Sequence, residues 1–350
     1  MSAIRLSVLT LGLAAAAIVL DPASTAQAQG LKNQDIATVL NETYAKFKTL
    51  QEGKNADYIP ALAKVDPKIF GIALVTTDGK VYTAGDVKSE VSIQSISKVF
   101  TLAKVIEEQG PEHIEKTVGV DATGMRFNSI VSVEFSQKVL GGPEMNSLVN
   151  PGAIATTSML KGSSRSEIWN GLLAFYSAFS GRPLAVNQEV FKSEAETNQR
   201  NQAIGYLMYA YGYIKANPMQ ATDIYTEQCS VSVNARDLAT MAATLADGGK
   251  NPVTGKQVVA AKNVPYVLAV MATAGLYDDS GKWLYHTGCR PRVAWVVASS
   301  PLHRANSASP LSRRRSTRPG TACARRKPSW RSSRACMPTR TRFLLASSSA

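Results

Sequence analysis

The chemistry that this sequence could perform begins with a serine and a lysine three residues apart. Ser95 and Lys98 stand in the segment Ser-Ile-Ser-Lys, where apolar residues start to recur every three or four positions, the spacing of a helix. One turn apart on a helix face, the lysine amine could remove the serine proton and create a nucleophile. The first helical turn also exposes N–H groups that stabilise developing negative charge. The pair therefore predicts covalent acyl-transfer catalysis.

A second pair with the same spacing shows how weak this motif is alone. Ser158 and Lys161 are also three residues apart. Ser95 follows a predicted hairpin and opens a predicted helix, whereas Lys161 precedes Gly-Ser-Ser and is typical of a helix end. The context favours Ser95, while an ordinary helix start is the alternative interpretation.

The segments around Ser95 predict a two-lobed α/β domain. Apolar residues have helical spacing over Leu31–Leu50, and the run Phe70–Thr76 is typical of a buried strand. Asp78-Gly79 predicts a β-hairpin whose second strand starts at Lys80. Further helices are predicted from Ser95 to Gly110 and over Glu167–Ser180, Asn201–Tyr213 and Val233–Leu245.

Residue counts argue against several kinds of site. Cys229 is the only cysteine before residue 289, and the histidines (His113, His286 and His303) have no ligand spacing. No glycine-rich phosphate loop is present. The sequence therefore predicts no metal, no cofactor, no disulfide framework and no Ser-His-Asp triad.

The N-terminus has the three parts of a secretory signal peptide. Arg5 supplies a positive charge, Leu6–Leu20 is an apolar run, and Ala26-Gln27-Ala28 has the small residues of a cleavage site. We expect residues 1–28 to be removed and the mature protein to be periplasmic or secreted, without stable membrane anchoring. An uncleaved anchor is the alternative.

The chemical character of the chain changes after Gly288. Of the 39 Lys and Arg residues, 14 lie in residues 289–350, which contain no Asp or Glu; 25 basic residues remain against 26 acidic ones before that point. The basic pI thus belongs to the tail and predicts no nucleic-acid partner for the body.

The tail has an explanation at the level of codons. Codons for Cys289–Ser299 can be chosen that, when the reading frame is shifted by one base, spell Leu-Pro-Ala-Lys-Ser-Gly-Val-Gly-Gly-Gly-Ile. We interpret residues 289–350 as an aberrant basic tail from a frameshift, the alternative being a true disordered tail.

Seven stretches in the body, taken in order, resemble one enzyme family. They are Asp57–Pro67, Ser92–Val105, Phe127–Glu134, Val149–Leu160, Ser193–Met208, Gln228–Gly255 and Met271–Gly288. The family is that of the serine-dependent bacterial-type glutaminases, relatives of the penicillin-recognising serine enzymes. The resemblance implies a serine β-lactamase / DD-transpeptidase-like α/β fold over residues 29–288, with an antiparallel sheet flanked by helices and a helical lobe.

The resemblance also implies a role for each matching residue. Ser95 would attack the side-chain amide of L-glutamine, Lys98 would be its base, and Tyr225 would relay a proton. The substrate-binding residues would be Ser95, Asn150, Glu194, Asn201, Tyr225 and Tyr277. Pro151 replaces a residue that is usually small in the family, which raises a question about the backbone at Asn150. A homo-oligomer, a homotetramer in particular, is expected on the same grounds.

The departure from the family falls where a Lys-Ser-Gly strand is expected. Its backbone would supply part of the oxyanion hole, and the loss of one such donor costs about a hundred- to a thousand-fold in turnover. Missing C-terminal strands would also leave the apolar faces of the hairpin uncovered. We therefore expect the chain as written to be inactive and prone to aggregate.

Two other functions are consistent with parts of the sequence. A penicillin-recognising enzyme, either a β-lactamase or a D-alanyl peptidase, would use the same Ser95 and Lys98. A non-catalytic binder of nucleic acid or anionic surfaces would use Arg313–Arg342 and show salt-sensitive binding.

Overall fold

The computed structural model describes residues 33–50 and 53–287. The expected signal peptide, residues 1–28, and the basic tail, residues 289–350, lie outside the described residues, as does the predicted frameshift. Within the described ranges, no helix is both long and apolar enough to cross a bilayer.

Thirteen helices and four short strands make up the described part of the chain, together with three 3₁₀ turns and one π-helical turn. The strands are β1 (Gly71–Val75), β2 (Val81–Gly85), β3 (Val91–Ser92) and β4 (Ser232–Val233). The helices are α1 (Asn33–Phe47), α2 (Pro60–Ala63), α3 (Ser97–Gln109), α4 (Pro111–Thr117), α5 (Ile130–Phe135), α6 (Asn150–Ser158), α7 (Arg165–Ser180), α8 (Gln188–Thr197), α9 (Gln199–Ala210), α10 (Pro218–Cys229), α11 (Ala235–Ala246), α12 (Val264–Ala274) and α13 (Ser280–Thr287). The 3₁₀ turns are Gln94–Ile96, Ala261–Asn263 and Tyr277–Asp279, and the π-helical turn is Ser136–Leu140.

The predicted hairpin is confirmed. β1 and β2 pair antiparallel, with Gly71 opposite Gly85 and Val75 opposite Val81. The turn contains Gly79 at φ 81°, a left-handed conformation that glycine adopts without steric cost.

Helices cover both faces of this hairpin. Ile72 and Ala84 pack against Leu40 of α1, whereas Val75 packs against Ala239 and Ala243 of α11. The expectation that the apolar faces would lie uncovered is therefore wrong. Its physical reason is that α1 and α11, rather than further strands, bury these faces. No other described strand pairs with β1 or β2.

The second sheet places the predicted nucleophile. β3 pairs antiparallel with β4, and the 3₁₀ turn Gln94–Ile96 leads from β3 into α3. The buried face of α3, which includes Phe100 and Leu102, anchors the helix in the larger core. The helix predicted from Ser95 to Gly110 is thus confirmed, except that its first turn is 3₁₀.

Two buried clusters meet at the start of α3. The larger one packs α3 against α7, α11 and α12, and the smaller one packs α6 against α9 and α10. The predictions over Glu167–Ser180, Asn201–Tyr213 and Val233–Leu245 correspond to α7, α9 and α11, with ends displaced by up to three residues. The junction of the two clusters is where the predicted site residues converge.

Candidate active site

Ser95 and Lys98 are in direct contact. The Lys98 Nζ lies 3.0 Å from the Ser95 Oγ, and only 1% of Lys98 is exposed. Ser95 is partly exposed, in the 3₁₀ turn before α3. A buried amine beside a reachable hydroxyl can accept its proton as that hydroxyl attacks a carbonyl carbon.

Asn150 and Asn201 extend this contact into a chain of hydrogen bonds. Lys98 Nζ donates to Asn150 Oδ1 at 2.6 Å, and Asn150 Nδ2 donates to Asn201 Oδ1 at 3.0 Å. Because Lys98 donates to the Asn150 carbonyl oxygen, the Asn150 amide nitrogen is turned toward Asn201. The Asn201 side chain ends this chain of hydrogen bonds.

Pro151 does not disturb the backbone at Asn150. α6 starts at Asn150, so Pro151 lies in the first turn, where a missing N–H removes no helical hydrogen bond. The Asn150 N–H donates to the Phe127 carbonyl at 2.6 Å. Asn150 is therefore held by its backbone as well as by its side chain.

Glu194 is the buried carboxyl of the site. It is 6% exposed, and burial raises its pKa to about 7 against the opposing effects of a Gln94 hydrogen bond and the Lys98 charge. With a pKa near 7, this carboxyl is partly ionised at neutral pH, and its ionised form can bind an ammonium group.

Two tyrosine rings enclose Lys98. The ring centroids of Tyr225 and Tyr277 lie 5.8 and 5.4 Å from its Nζ. Burial raises the pKa of Tyr225 well above its usual value, and its hydroxyl contacts the Cys229 thiol. The ring of Tyr225 thus faces the base, while a proton-relay role for its hydroxyl stays a prediction.

Cys229 lies beneath the site without lining it. The thiol is 2% exposed, and burial raises its pKa to about 12. Its Sγ is 3.9 Å from the Ser97 Oγ. A protonated, inaccessible thiol of this kind is not a nucleophile.

The loop that ends at Asn128 borders the site. The Phe127 ring lies 5.3 Å from the Tyr277 ring, and Arg200 Nε donates to the Asn128 carbonyl at 3.1 Å. An open cleft of about 650 Å³ is lined by Arg126 and Asn128 of this loop together with Arg200 and Asp278.

The other serine–lysine pair, Ser158 and Lys161, makes local hydrogen bonds away from Ser95. Ser158 Oγ donates to the Ala155 carbonyl, and Lys161 Nζ donates to the Glu108 carbonyl. Both groups are therefore used in local structure at the end of α6. The choice of Ser95 over Ser158 agrees with this geometry.

Gln94 lies in the site, although the sequence analysis did not single it out. Its amide contacts Glu194, and its backbone has φ 49°. Its position directly before Ser95 was the available signal. Within the described residues, no group of His, Cys, Asp or Glu is arranged to hold a metal ion.

A serine in contact with a buried lysine at the start of a helix, between a small antiparallel sheet and a helical lobe, is the arrangement of the serine β-lactamase-like acyl-transfer enzymes. Comparison with known proteins identifies the family within this class. The family model for Glutaminase matches residues 53–292. The chain belongs to the glutaminase family.

Two curated relatives illustrate the similarity. A glutaminase of Colwellia psychrerythraea is 48% identical over 269 residues, which cover 76% of this chain and 85% of the relative. A glutaminase of Mycobacterium ulcerans is 46% identical over 258 residues, which cover 74% and 79%.

Solved structures agree with the fold. One described as the probable glutaminase ybaS superposes with a TM-score of 0.71 at 43% identity, over 74% of this chain and 82% of that one. Another, the probable glutaminase from Bacillus subtilis in complex with 6-diazo-5-oxo-L-norleucine, has a TM-score of 0.64 at 27% identity, over 74% and 78%. The predicted serine β-lactamase-like fold is confirmed.

Proposed function

We propose that the described site hydrolyses L-glutamine to L-glutamate and ammonia through an ester on Ser95. The hydrogen-bonded chain from Ser95 through Lys98 and Asn150 to Asn201 carries this proposal, since it joins a nucleophile and base to ligand-binding amides. The family supports the reaction. The Bacillus subtilis complex supports the substrate, because 6-diazo-5-oxo-L-norleucine is L-glutamine with a diazomethyl group in place of the side-chain amide nitrogen.

The reaction requires one group that accepts protons, Lys98, and two nucleophilic attacks, first by Ser95 and then by water. Ser95 Oγ adds to the side-chain amide carbon while its proton passes to the neutral Lys98 amine. The C–N bond then breaks, and the same proton leaves with the nitrogen as ammonia. Lys98 then takes a proton from water, the resulting hydroxide cleaves the ester, and Lys98 returns that proton to Ser95 Oγ, which releases L-glutamate and the free serine.

Recognition of a free amino acid follows from the opposite charges at its α-carbon. The Glu194 carboxylate can bind the ammonium group, and the Asn201 amide nitrogen and the Tyr277 hydroxyl can donate to the carboxylate. A peptide-bound glutamine lacks both charges and is excluded by this arrangement.

The segment after Gly288 is proposed to be a frameshift product. The match to the family model ends at residue 292, close to the break in composition. Sequencing the DNA across the codons for residues 285–300 tests this directly. An extra base that restores Leu-Pro-Ala-Lys-Ser-Gly supports the proposal, whereas confirmation of the present codons contradicts it.

Ammonia release then tests the oxyanion hole. We expect the chain as written to turn over glutamine about a hundred- to a thousand-fold more slowly than a version with the restored segment. Equal turnover by the two proteins would show that residues 289–350 do not impair the site.

Replacement of Ser95 tests the nucleophile. In the restored protein, we expect Ser95→Ala to lower ammonia release from glutamine at least about a thousand-fold. Ser158→Ala is the matched control, since it removes the other serine of the same motif and should leave turnover unchanged. Retained activity in Ser95→Ala, or hydrolysis of a chromogenic β-lactam in preference to glutamine, would refute the proposal.

The proposed location is the periplasm or the exterior, reached through cleavage after Ala28. N-terminal sequencing of the exported protein should then begin at Gln29. A mature protein that retains residues 1–28 would indicate the uncleaved anchor instead.

The proposed assembly is a homo-oligomer, a homotetramer in particular. Three apolar side chains four residues apart, Val131, Phe135 and Val139, are 62%, 44% and 64% exposed, and Tyr206 and Tyr209 are similarly exposed on α9. Such exposure supports a protein partner. Light scattering on the purified protein should give four times the chain mass, and a monomer would contradict the proposal.

A further inference from the structure

Gln94 has an unusual backbone conformation for its residue type. Gln94 and Tyr277 are the two non-glycine residues with positive φ among those that the structure describes, and both border the predicted site. A φ of 49° places Gln94 in the left-handed region, which costs free energy for any residue with a side chain. Such a conformation persists only where surrounding contacts hold it.

The Gln94 side chain provides those contacts. Its Nε2 lies 3.2 Å from Ser92 Oγ, 3.4 Å from Glu194 Oε2 and 3.3 Å from the Cys229 carbonyl oxygen. The Cys229 carbonyl oxygen can only accept a hydrogen bond, as can the ionised Glu194 carboxylate, so they fix the orientation of the amide. With Gln94 only 8% exposed, this one amide links β3, α8 and the end of α10.

The contact with Glu194 is electrostatically important because that carboxyl is buried. Burial raises the Glu194 pKa, whereas the Gln94 hydrogen bond and the Lys98 charge lower it. The other titratable groups that face this carboxyl are the Cys229 thiol and the Tyr225 hydroxyl, both kept neutral by burial. Gln94 is therefore the neutral donor that stabilises the ionised form of Glu194.

We propose that Gln94 is a positioning residue that holds the Glu194 carboxylate in fixed register with Ser95. Its left-handed backbone sets the turn that presents Ser95, and its amide ties that turn to the carboxylate. The inference rests on the proposed function, in which Glu194 binds the substrate ammonium group. It explains how a nucleophile and an ammonium acceptor 99 residues apart in sequence are aligned for one small substrate.

Two substitutions distinguish the contribution of the Gln94 side-chain amide from that of its backbone conformation. Gln94→Met removes the hydrogen bonds, keeps a side chain of similar length and leaves the backbone requirement in place. Gln94→Gly removes the same hydrogen bonds and adopts the left-handed conformation without steric cost. Gln109→Met is the matched control, because the Gln109 amide also donates to a backbone carbonyl, that of Met159, far along α3 from Ser95.

The readout is binding of L-glutamate to the full chain, measured by calorimetry between about pH 6 and pH 9, a range that spans the titrations of interest. L-Glutamate carries the ammonium group that Glu194 would bind, and its binding requires no turnover. At pH 8 we expect both Gln94 variants to bind about 10-fold more weakly, the effect of losing a hydrogen bond to a charged group. The pH below which affinity falls should rise in both variants, whereas Gln109→Met should match the wild type.

A purely structural role predicts a different result. If Gln94 serves only to hold the turn, Gln94→Gly will bind L-glutamate like the wild type, and the pH dependence will be unchanged in both variants. That outcome overturns the inference while the proposed function stands. Wild-type protein that does not bind L-glutamate at all would instead overturn the proposed substrate, and this inference with it.

Discussion

Glu194 makes the site sensitive to pH at the scale of a single residue. Its pKa near 7 means that the carboxyl is substantially neutral below that pH. Since the ionised form binds an ammonium group, we expect the dissociation constant of L-glutamate to rise as pH falls through 7, by up to about tenfold per pH unit. Calorimetric titrations over this range check the expectation. Glu194→Gln is the control, and it should bind weakly with no step near pH 7.

The same raised pKa acts on folding with a definite sign. A carboxyl that binds its proton more tightly in the folded state contributes stability below its unfolded pKa of about 4.3, and this contribution is lost as pH rises toward 7. Binding and stability thus depend on Glu194 in opposite directions. The site gains ligand affinity over the pH range in which the fold loses stability.

At this scale, the sequence predicted which residues meet but not how they are held. The spacing of Ser95 and Lys98 and their predicted helical context favoured their contact, and the family resemblance supplied Asn150, Glu194 and Asn201. Gln94 was missed because its importance comes from a backbone angle and from acceptors on two distant helices. Long-range contacts of this kind leave no local pattern in a single sequence.

At the scale of the element, α6 depends on one glycine. A methyl group at Gly152 would lie far inside contact distance of the Asn146 carbonyl, which belongs to the turn before the helix. We expect Gly152→Ala to lower the free energy of unfolding by about 2 to 4 kcal/mol, since neither backbone segment can move without displacing Asn150. Urea unfolding measures the change.

Gly171 provides the matched control for that prediction. It also lies inside a helix, α7, but its nearest neighbour is the flexible end of Lys104 at 3.9 Å. Gly171→Ala should stabilise the protein by about 0.5 to 1 kcal/mol, because alanine loses less backbone entropy than glycine on helix formation. Equal effects of the two substitutions would contradict the packing argument.

Helices and the hairpin were predictable because their apolar spacing is local. α7, α9 and α11 were placed to within three residues, and Asp78-Gly79 located the turn. The covering of both hairpin faces was not predictable, since it depends on α1 and α11, which are about 200 residues apart in the chain. Periodicity shows that a face is apolar without showing what buries it.

At the scale of the whole molecule, charge is divided unevenly along the chain. Residues 1–288 carry 25 basic and 26 acidic side chains, and residues 289–350 carry the excess of 14 positive charges. We expect any binding to heparin, a polyanion, to decline steeply between about 0.1 and 0.5 M salt and to disappear when residues 289–350 are deleted. Binding that survives the deletion would place a polyanion site in the body.

The position of Cys229 gives the molecule an internal reporter. Its buried thiol lies between the Tyr225 hydroxyl and the start of α3, so a reagent can reach it only when these elements part. Its alkylation rate, followed by mass spectrometry of the peptide that contains it, would therefore measure how often this region opens. A ligand that contacts α3, α8 and α10 at once should slow the alkylation of Cys229. The rate of local opening can therefore be measured without an added label.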